Sequence, residues 1–346
     1  MPAVTVTAPV RIFDCGGWSD TWFAGHGAVL HVAVTPGITV RVDAVPARGP
    51  GAVTLRLASY REEFVYRRES PPGTHPLIEA AVDEWCDRHL DLSIAVESLM
   101  PPGASTGTSA ALIVALAAAC TVLRDEPIQP ARLARQAHQL ETQRLGLQAG
   151  IQDHIGSAYG GVNFIEMSDY PSATVAPLVL DTNLAAALAR RTRLFYLGRA
   201  HHSSVVHEEV IRSLGAEGTA LRALDELRAA ARDARDALHQ SDLRGFGTAM
   251  VRNTEAQRSL HSSLVGEDAR ALIAIAARHG ALGWKVNGAG GEGGTVALLM
   301  DDAESDASRQ IVLEIGSRLP HVRQIDVQLA PHGAVAHRSD GPTNFQ

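Results

Sequence analysis

The chain has 346 residues, 31 Lys and Arg against 38 Asp and Glu (net charge −7), and a hydrophobic fraction of 45%. These are the proportions of an ordinary globular protein of two domains, not of a disordered chain. No long basic run speaks for nucleic acid, and the longest apolar run, 110–120, falls short of the about 20 residues that a membrane span needs.

The N-terminus lacks a basic segment followed by an apolar core, so a cytoplasmic location is expected. Cys15, Cys86 and Cys120 are odd in number and far apart, which predicts neither a disulfide scaffold nor a zinc site and suits a reducing compartment. Lys285 is the only lysine, so any mechanism that needs a lysine elsewhere is excluded.

Alternation of apolar and polar residues predicts strands at 4–13, 28–34, 38–44, 53–57 and 63–67. Helical spacing follows at 75–90, then a strand at 92–99. After Pro101 and Pro102 comes a loop of small residues, an apolar helix at 109–123 and an amphipathic helix at 130–145. A strand is expected at 159–167, and Pro171 and Pro177 mark a boundary within 169–183. The second half opens with a strand at 193–197 and continues with helices at 202–214, 219–240, 243–260 and 267–279. A strand at 295–300, a helix at 303–318 and a strand at 322–329 complete it, with the tail 332–346 partly loose. The fold class is α+β, with domains expected at 1–180 and 181–346.

Three glycine-rich segments carry the chemistry. In Pro101-Pro102-Gly103-Ala104-Ser105-Thr106-Gly107-Thr108-Ser109-Ala110-Ala111, a strand leads in and a helix leads out. Glycines let a backbone approach a phosphate, free amides at a helix start bind anions, and hydroxyls can ligate Mg²⁺. A Walker A loop is excluded because no lysine is present. The same loop contains GxSxG, the pattern of a serine-hydrolase elbow with Ser105 as nucleophile. The second segment, Gly288-Ala289-Gly290-Gly291-Glu292-Gly293-Gly294, satisfies GxGxxG but is followed by a strand, which fails the dinucleotide fingerprint. In the third, Arg11 precedes Asp14-Cys15-Gly16-Gly17-Trp18-Ser19-Asp20, where an acid and an aromatic ring could receive a sugar.

In this order the three segments resemble the GHMP small-molecule kinase superfamily, and the resemblance covers nearly the whole chain. Glu141 and Asp153, twelve residues apart, match the spacing of a metal-binding Glu and a catalytic Asp in its sugar kinases. The resemblance implies a ribosomal-S5-like N-terminal domain and a ferredoxin-like C-terminal domain, with ATP and Mg²⁺ as cofactors. It implies that Pro102, Gly103, Ala104, Ser105, Thr106, Gly107, Thr108 and Ser109 line the ATP phosphates, and that Ser109 and Glu141 hold Mg²⁺. Asp153 would be the base and Arg11 would stabilise the transferred phosphoryl group. Asp20, Trp18, Gly17 and His26 would meet the acceptor, with Gly288, Gly290 and Gly291 supporting it.

Within the superfamily, residues 16–21 look like fucokinases, and 151–153 with 159–166 look like D-glycero-D-manno-heptose 7-phosphate kinases. Both relatives point to an anomeric hydroxyl as acceptor. A 7-phosphate would need cations, for which Arg199, His201, His202 and Arg252 are candidates. A zinc site of His201, His202 and His207 is disfavoured, since their spacing does not share a helix face. Ser105, Thr106, His154 and Glu292 depart from the family pattern, and Glu292 would repel a triphosphate if it faced one. The expected partner is thus a small sugar or sugar phosphate, with no nucleic acid and no membrane, and homodimerisation left open. The alternatives are a fucokinase-like enzyme of a free sugar, a serine hydrolase and a catalytically silent sugar-binding homologue.

Overall fold

A computed structural model describes residues 2–49, 51–58, 62–67, 73, 75–199, 210–212 and 218–340. Strand β1 (Pro2–Cys15) pairs antiparallel with β2 (Gly27–Pro46), a single long strand where the sequence predicts two. The chain passes Pro36 and Gly37 without turning back, because the register slips there, between Ala8 and Val10 of β1. A bulge accommodates the proline that a regular ladder would reject. β3 (Ala52–Leu57) and β4 (Glu62–Arg67) form a hairpin-like pair, and β3 runs parallel to β5 (Leu90–Ser98) across helix α1 (Pro76–Trp85).

Helix α2 (Thr108–Leu123) is apolar on every side, and residues 110, 111 and 113–121 are buried. Such a helix is stable only when covered all round. It packs on β1 and β2 and is flanked by α1, α3 (Pro130–Gln139) and α4 (Gln152–Tyr159). α3 ends in a π-turn, Leu140–Arg144, in place of the continuous helix predicted to 145. Past a loop and α4, which sequence reading missed, β6 (Val162–Asp169) and β7 (Ser172–Leu178) make a hairpin. The predicted boundary at 169–183 therefore contains a strand and the start of α5 (Thr182–Arg191).

The second sheet has the order β11-β8-β10-β9, all antiparallel, from β8 (Thr192–Tyr196), β9 (Gly283–Val286), β10 (Thr295–Leu299) and β11 (Arg323–Ile325). Helices α6 (Gly218–His239) and α7 (Leu243–Leu260) pack on each other, α6 also on β2 and α7 also on β9 and β1. α8 (Glu267–Arg278) and α9 (Asp306–Arg318) cover the second sheet. β10 alternates between two cores. Val296 and Leu298 face the α8–α9 cluster, while Ala297 and Leu299 join the large core of the first sheet. A period-2 strand buried on both faces thus fuses the two layers.

The predicted strand 322–329 splits: β11 belongs to the second sheet, but β12 (Gln328–Leu329) pairs with β2. In the tail, expected to be partly loose, β13 (Val335–Asp340) runs along β1. The first sheet thus holds nine strands among the described residues, two of them from beyond residue 180. Cys86 and Cys120 are joined by a disulfide, although spacing predicts no such framework. They meet because α1 and α2 pack together. The helix predicted at 202–214 lies largely outside the described residues.

Ending the chain after Ala334 strips β13 from β1 and bares a long strand edge. We expect the thermal midpoint to fall by about 5 °C or more, with aggregation on heating. An unchanged midpoint by calorimetry would mean that the tail strand contributes nothing.

Candidate functional site

The last turn of β1 sets the geometry. Residues 8–15 are all buried, and the ladder with β2 breaks between Ile12 and Cys15, where Phe13 takes φ +55°. A bulge of this kind re-aims side chains that a regular strand would send to fixed faces. Arg11 and Asp14 flank it. The Arg11 guanidinium donates from Nε to Asp153 Oδ1 at 2.7 Å and from Nη1 to the Ser105 carbonyl at 2.6 Å. Burial opposes its charge, but Asp153, Asp14 and Asp20 outweigh that and raise its pKa further.

The loop 99–107 delivers the chain from β5 to α2. Gly107 caps α2 in the left-handed region (φ +77°), and among the described residues no side chain caps the first helical amides. A Cβ at Gly107 would come within 3.2 Å of Asp153 Cγ. Glycine therefore allows the carboxylate to lie against the positive end of a sixteen-residue helix. Thr108, Ser109 and Ala110 line the same cavity.

Asp153 opens α4, whose first amide, Gln152 N, donates to Asp20 Oδ2 at 3.1 Å. Asp20 is only 2% exposed. Burial pushes it up to about 6, and the Asp153 charge adds to the rise against the opposing pull of the Gln152 amide. Glu141 heads the π-turn, a local widening that recurs at functional sites. Its Oε2 lies 3.0 Å from His154 Nε2. Burial opposes charge on His154, but Glu141 outweighs it and raises the His154 pKa. His138 stacks edge-on against His154 and contacts the Tyr170 hydroxyl at 2.8 Å, which in turn donates to the Ala149 carbonyl. Burial holds His138 down at about 4, so it is neutral at pH 7. The Cys15 thiol is pushed up to about 12 by burial and is no nucleophile.

These side chains surround one cavity of about 550 Å³. Of the residues singled out in the sequence, Arg11, Trp18, Asp20, Pro102, Gly103, Ser105, Gly107, Thr108, Ser109, Glu141, Asp153 and Gly288 line it. Ala104 and Thr106 are fully buried behind the loop, and Thr106 O accepts from Arg11 N. Gly17 sits behind the lining, against Asp14 and Gln152. Trp18 offers only an edge, since it is packed with Leu224, Leu227, Ala256 and Leu260. His26 is exposed, off the cavity lining, and its carbonyl accepts from Arg228. Gly290 and Gly291 back Gly288 by packing on Leu264, outside the lining.

Glu292 faces away from the cavity. Its Oε2 accepts from Glu267 N, the first amide of α8, so its charge is absorbed by a helix start. Among the described residues, Ser105 Oγ is buried with no hydrogen-bond partner and so meets no contacting base of the kind a serine nucleophile needs. Arg252 is engaged by Glu226 and Asp233 on the α6–α7 surface. Arg199 is exposed, and His201, His202 and His207 lie outside the described residues. Sequence reading gave Gln152 no role beyond the resemblance of 151–153, and missed Tyr170 and its contact with His138. It also gave no role to Asp14 or Lys285, although the latter stands out as the only lysine.

Two family models match the chain: the GHMP kinases N terminal domain at residues 76–161 and the GHMP kinases C terminal at 234–317. A D-glycero-alpha-D-manno-heptose 7-phosphate kinase of Campylobacter jejuni is 24% identical over 61% of this chain and 62% of its own. The bifunctional fucokinase/GDP-fucose pyrophosphorylase of Arabidopsis thaliana is 26% identical over 94% of this chain. That alignment takes in only 32% of the Arabidopsis protein, so the chain spans under two thirds of either relative. The crystal structure of a D-glycero-D-manno-heptose 1-phosphate kinase from Bacteriodes thetaiotaomicron superposes with a TM-score of 0.73 at 18% identity, covering 99% of this chain and 100% of the other. By both domain models, this chain belongs to the GHMP kinases.

Proposed function

We propose that the chain is an ATP- and Mg²⁺-dependent kinase that phosphorylates a sugar hydroxyl, the anomeric one of a heptose 7-phosphate or related sugar. The observation that carries this reading is the Arg11–Asp153 pair, 2.7 Å apart, held against the uncapped start of α2 in one cavity. Phosphoryl transfer needs an acceptor for the hydroxyl proton, a fixed cation for the phosphoryl charge and backbone donors for the nonbridging oxygens. Asp153, Arg11 and the amides of 108–110 supply these three. An apolar cavity of about 270 Å³, lined by Leu57, Pro76, Ile78, Met100 and Leu112, shares Pro101, Pro102, Thr108 and Ser109 with the loop and suits a nucleotide base.

Mg²⁺ prefers a few hard protein oxygens and completes its shell with phosphates and water. The Ser109 hydroxyl and the Glu141 carboxylate line the same cavity and fit that donor set. Bound there, the ion would neutralise the β- and γ-phosphates. His154 holds Glu141 from behind. Asp20, on the far side of Asp153, would accept hydrogen bonds from the sugar.

The test is ADP release from Mg·ATP across free sugars and sugar phosphates, including fucose, galactose, mannose, glucuronate and heptose 7-phosphate. Turnover best on the 7-phosphate supports the reading; turnover only on a free sugar moves it to the fucokinase type. Silence across the panel with ATP bound would leave a non-catalytic sugar-binding protein. Asp153→Asn is expected to lower kcat by about 100- to 10,000-fold with ATP binding nearly intact. Near-wild-type turnover would remove Asp153 from its role. Glu141→Gln should raise the Mg²⁺ concentration for half-maximal rate by about tenfold or more, and an unchanged titration would count against the ligand assignment.

Asp20 gives a pH signature. With its carboxyl near 6, it is an acceptor above that pH and protonated below it. The KM for sugar should therefore rise as pH falls from 7 to 5, and Asp20→Asn should flatten that limb. A KM independent of pH in the wild type would show that Asp20 does not bind the acceptor as a carboxylate.

A further inference from the structure

The only lysine of the chain is buried in the join between its two halves. Lys285, on β9, is 1% exposed and lies 3.3 Å from Asp14 Oδ1, itself 0% exposed. Its Nζ also donates to Gln257 Oε1 of α7 at 3.1 Å and to the Val286 carbonyl. Asp14 Oδ2 accepts from Gly288 N at 2.9 Å, and Gln257 Nε2 donates to Gly288 O at 3.2 Å. The four residues close a ring in which both polar atoms of the Gly288 backbone are held.

Gly288 is the point where the last glycine loop meets the cavity. It takes φ +61°, and a Cβ there would come 2.6 Å from Ser105 O and 3.3 Å from Arg11 Nη2. It therefore packs on the very hydrogen bond that fixes Arg11 to the phosphate loop. A second strut runs beside it: Phe13 N donates to Asn287 Oδ1, Asn287 Nδ2 to Thr295 Oγ1, and Thr295 Oγ1 to Ala104 O.

We propose that Lys285, Asp14 and Gln257 are positioning residues: a dry charged clamp that sets Gly288, and through it Arg11 and Ser105, for phosphoryl transfer. This rests on the kinase reading above. A buried ion pair is a weak source of stability, because desolvation consumes most of its attraction, but it demands one geometry. Here that geometry ties the end of β1 to the loop after β9, so the clamp fixes how the two halves meet at the reacting group. Asp14 serves twice, since its charge also supports the buried Arg11.

The test separates positioning from folding. Lys285→Met leaves the Asp14 carboxylate buried without its cation, so the thermal midpoint should fall and kcat should drop by about 100-fold. The double variant D14N/K285M carries no buried charge at either place and stays informative if the single variant does not fold. Its midpoint should return toward wild type while kcat stays depressed, with the KM for ATP within about threefold. Recovery of kcat together with the midpoint would overturn the proposal and leave the pair a structural element. Amide exchange, read by mass spectrometry without any substrate, gives a second readout. Peptides covering 286–294 should exchange faster in D14N/K285M than in wild type, while those within α2 do not change. Equal exchange at 286–294 would also overturn the clamp. Faster exchange there, with wild-type protein that turns over no sugar, would support the clamp and refute the kinase reading instead.

Discussion

A charge placed inside a dry core must find a partner, and the end of β1 carries two. Arg11 and Asp14 lie in a stretch that is buried throughout, so neither can be left to water. Their partners come from opposite parts of the chain. Arg11 takes Asp153 and the Ser105 carbonyl from the first half; Asp14 takes Lys285 and the Gly288 amide from the second. The bulge at Phe13 lets both requirements be met within four residues. The cavity forms where these obligations converge, so the meeting of the two halves and the placing of the reactive groups have one cause.

Helix ends then do most of the positioning. The start of α2 is left uncapped by side chains, so its amides remain available to a ligand. The start of α4 is engaged by Asp20 through Gln152 N, which orients Asp153 one residue on. The start of α8 takes Glu292, which would otherwise have set a negative charge beside the glycine loop. Three helix starts thus sort three carboxylates by the same electrostatic rule.

The sequence was legible where a local pattern has one structural outcome. The Pro101–Ala111 loop, α2, and the helices α6, α7 and α8 follow from glycine placement and helical period, and they appear close to the expected bounds. The residues Arg11, Glu141 and Asp153 were found by motif and spacing, and they share one cavity. What failed was non-local. β13 reads as a polar tail because only its pairing with β1 makes it a strand. β12 and β11 read as one run because nothing local says that they serve different sheets. The Cys86–Cys120 link and the Lys285–Asp14 pair depend on packing of distant segments, and no spacing encodes it. Trp18 illustrates the converse: its position beside Asp20 suggested a sugar platform, but the neighbouring apolar side chains of α6 and α7 claim most of the ring.

The Asp153 and Asp20 carboxylates, side by side in the cavity, have different environments. Asp153 is paired with the Arg11 guanidinium at 2.7 Å and lies at the start of α4. Asp20, which accepts from the Gln152 amide, is buried, and burial pushes its carboxyl up to about 6. On the kinase reading proposed above, Asp153 stands where a proton must be drawn from the acceptor hydroxyl. On the same reading, Asp20 meets the acceptor as a carboxylate, and its burial makes that contact sensitive to pH near 6. Arg11 distinguishes the two acids, since its Nε bonds Asp153 and its Nη1 the Ser105 carbonyl.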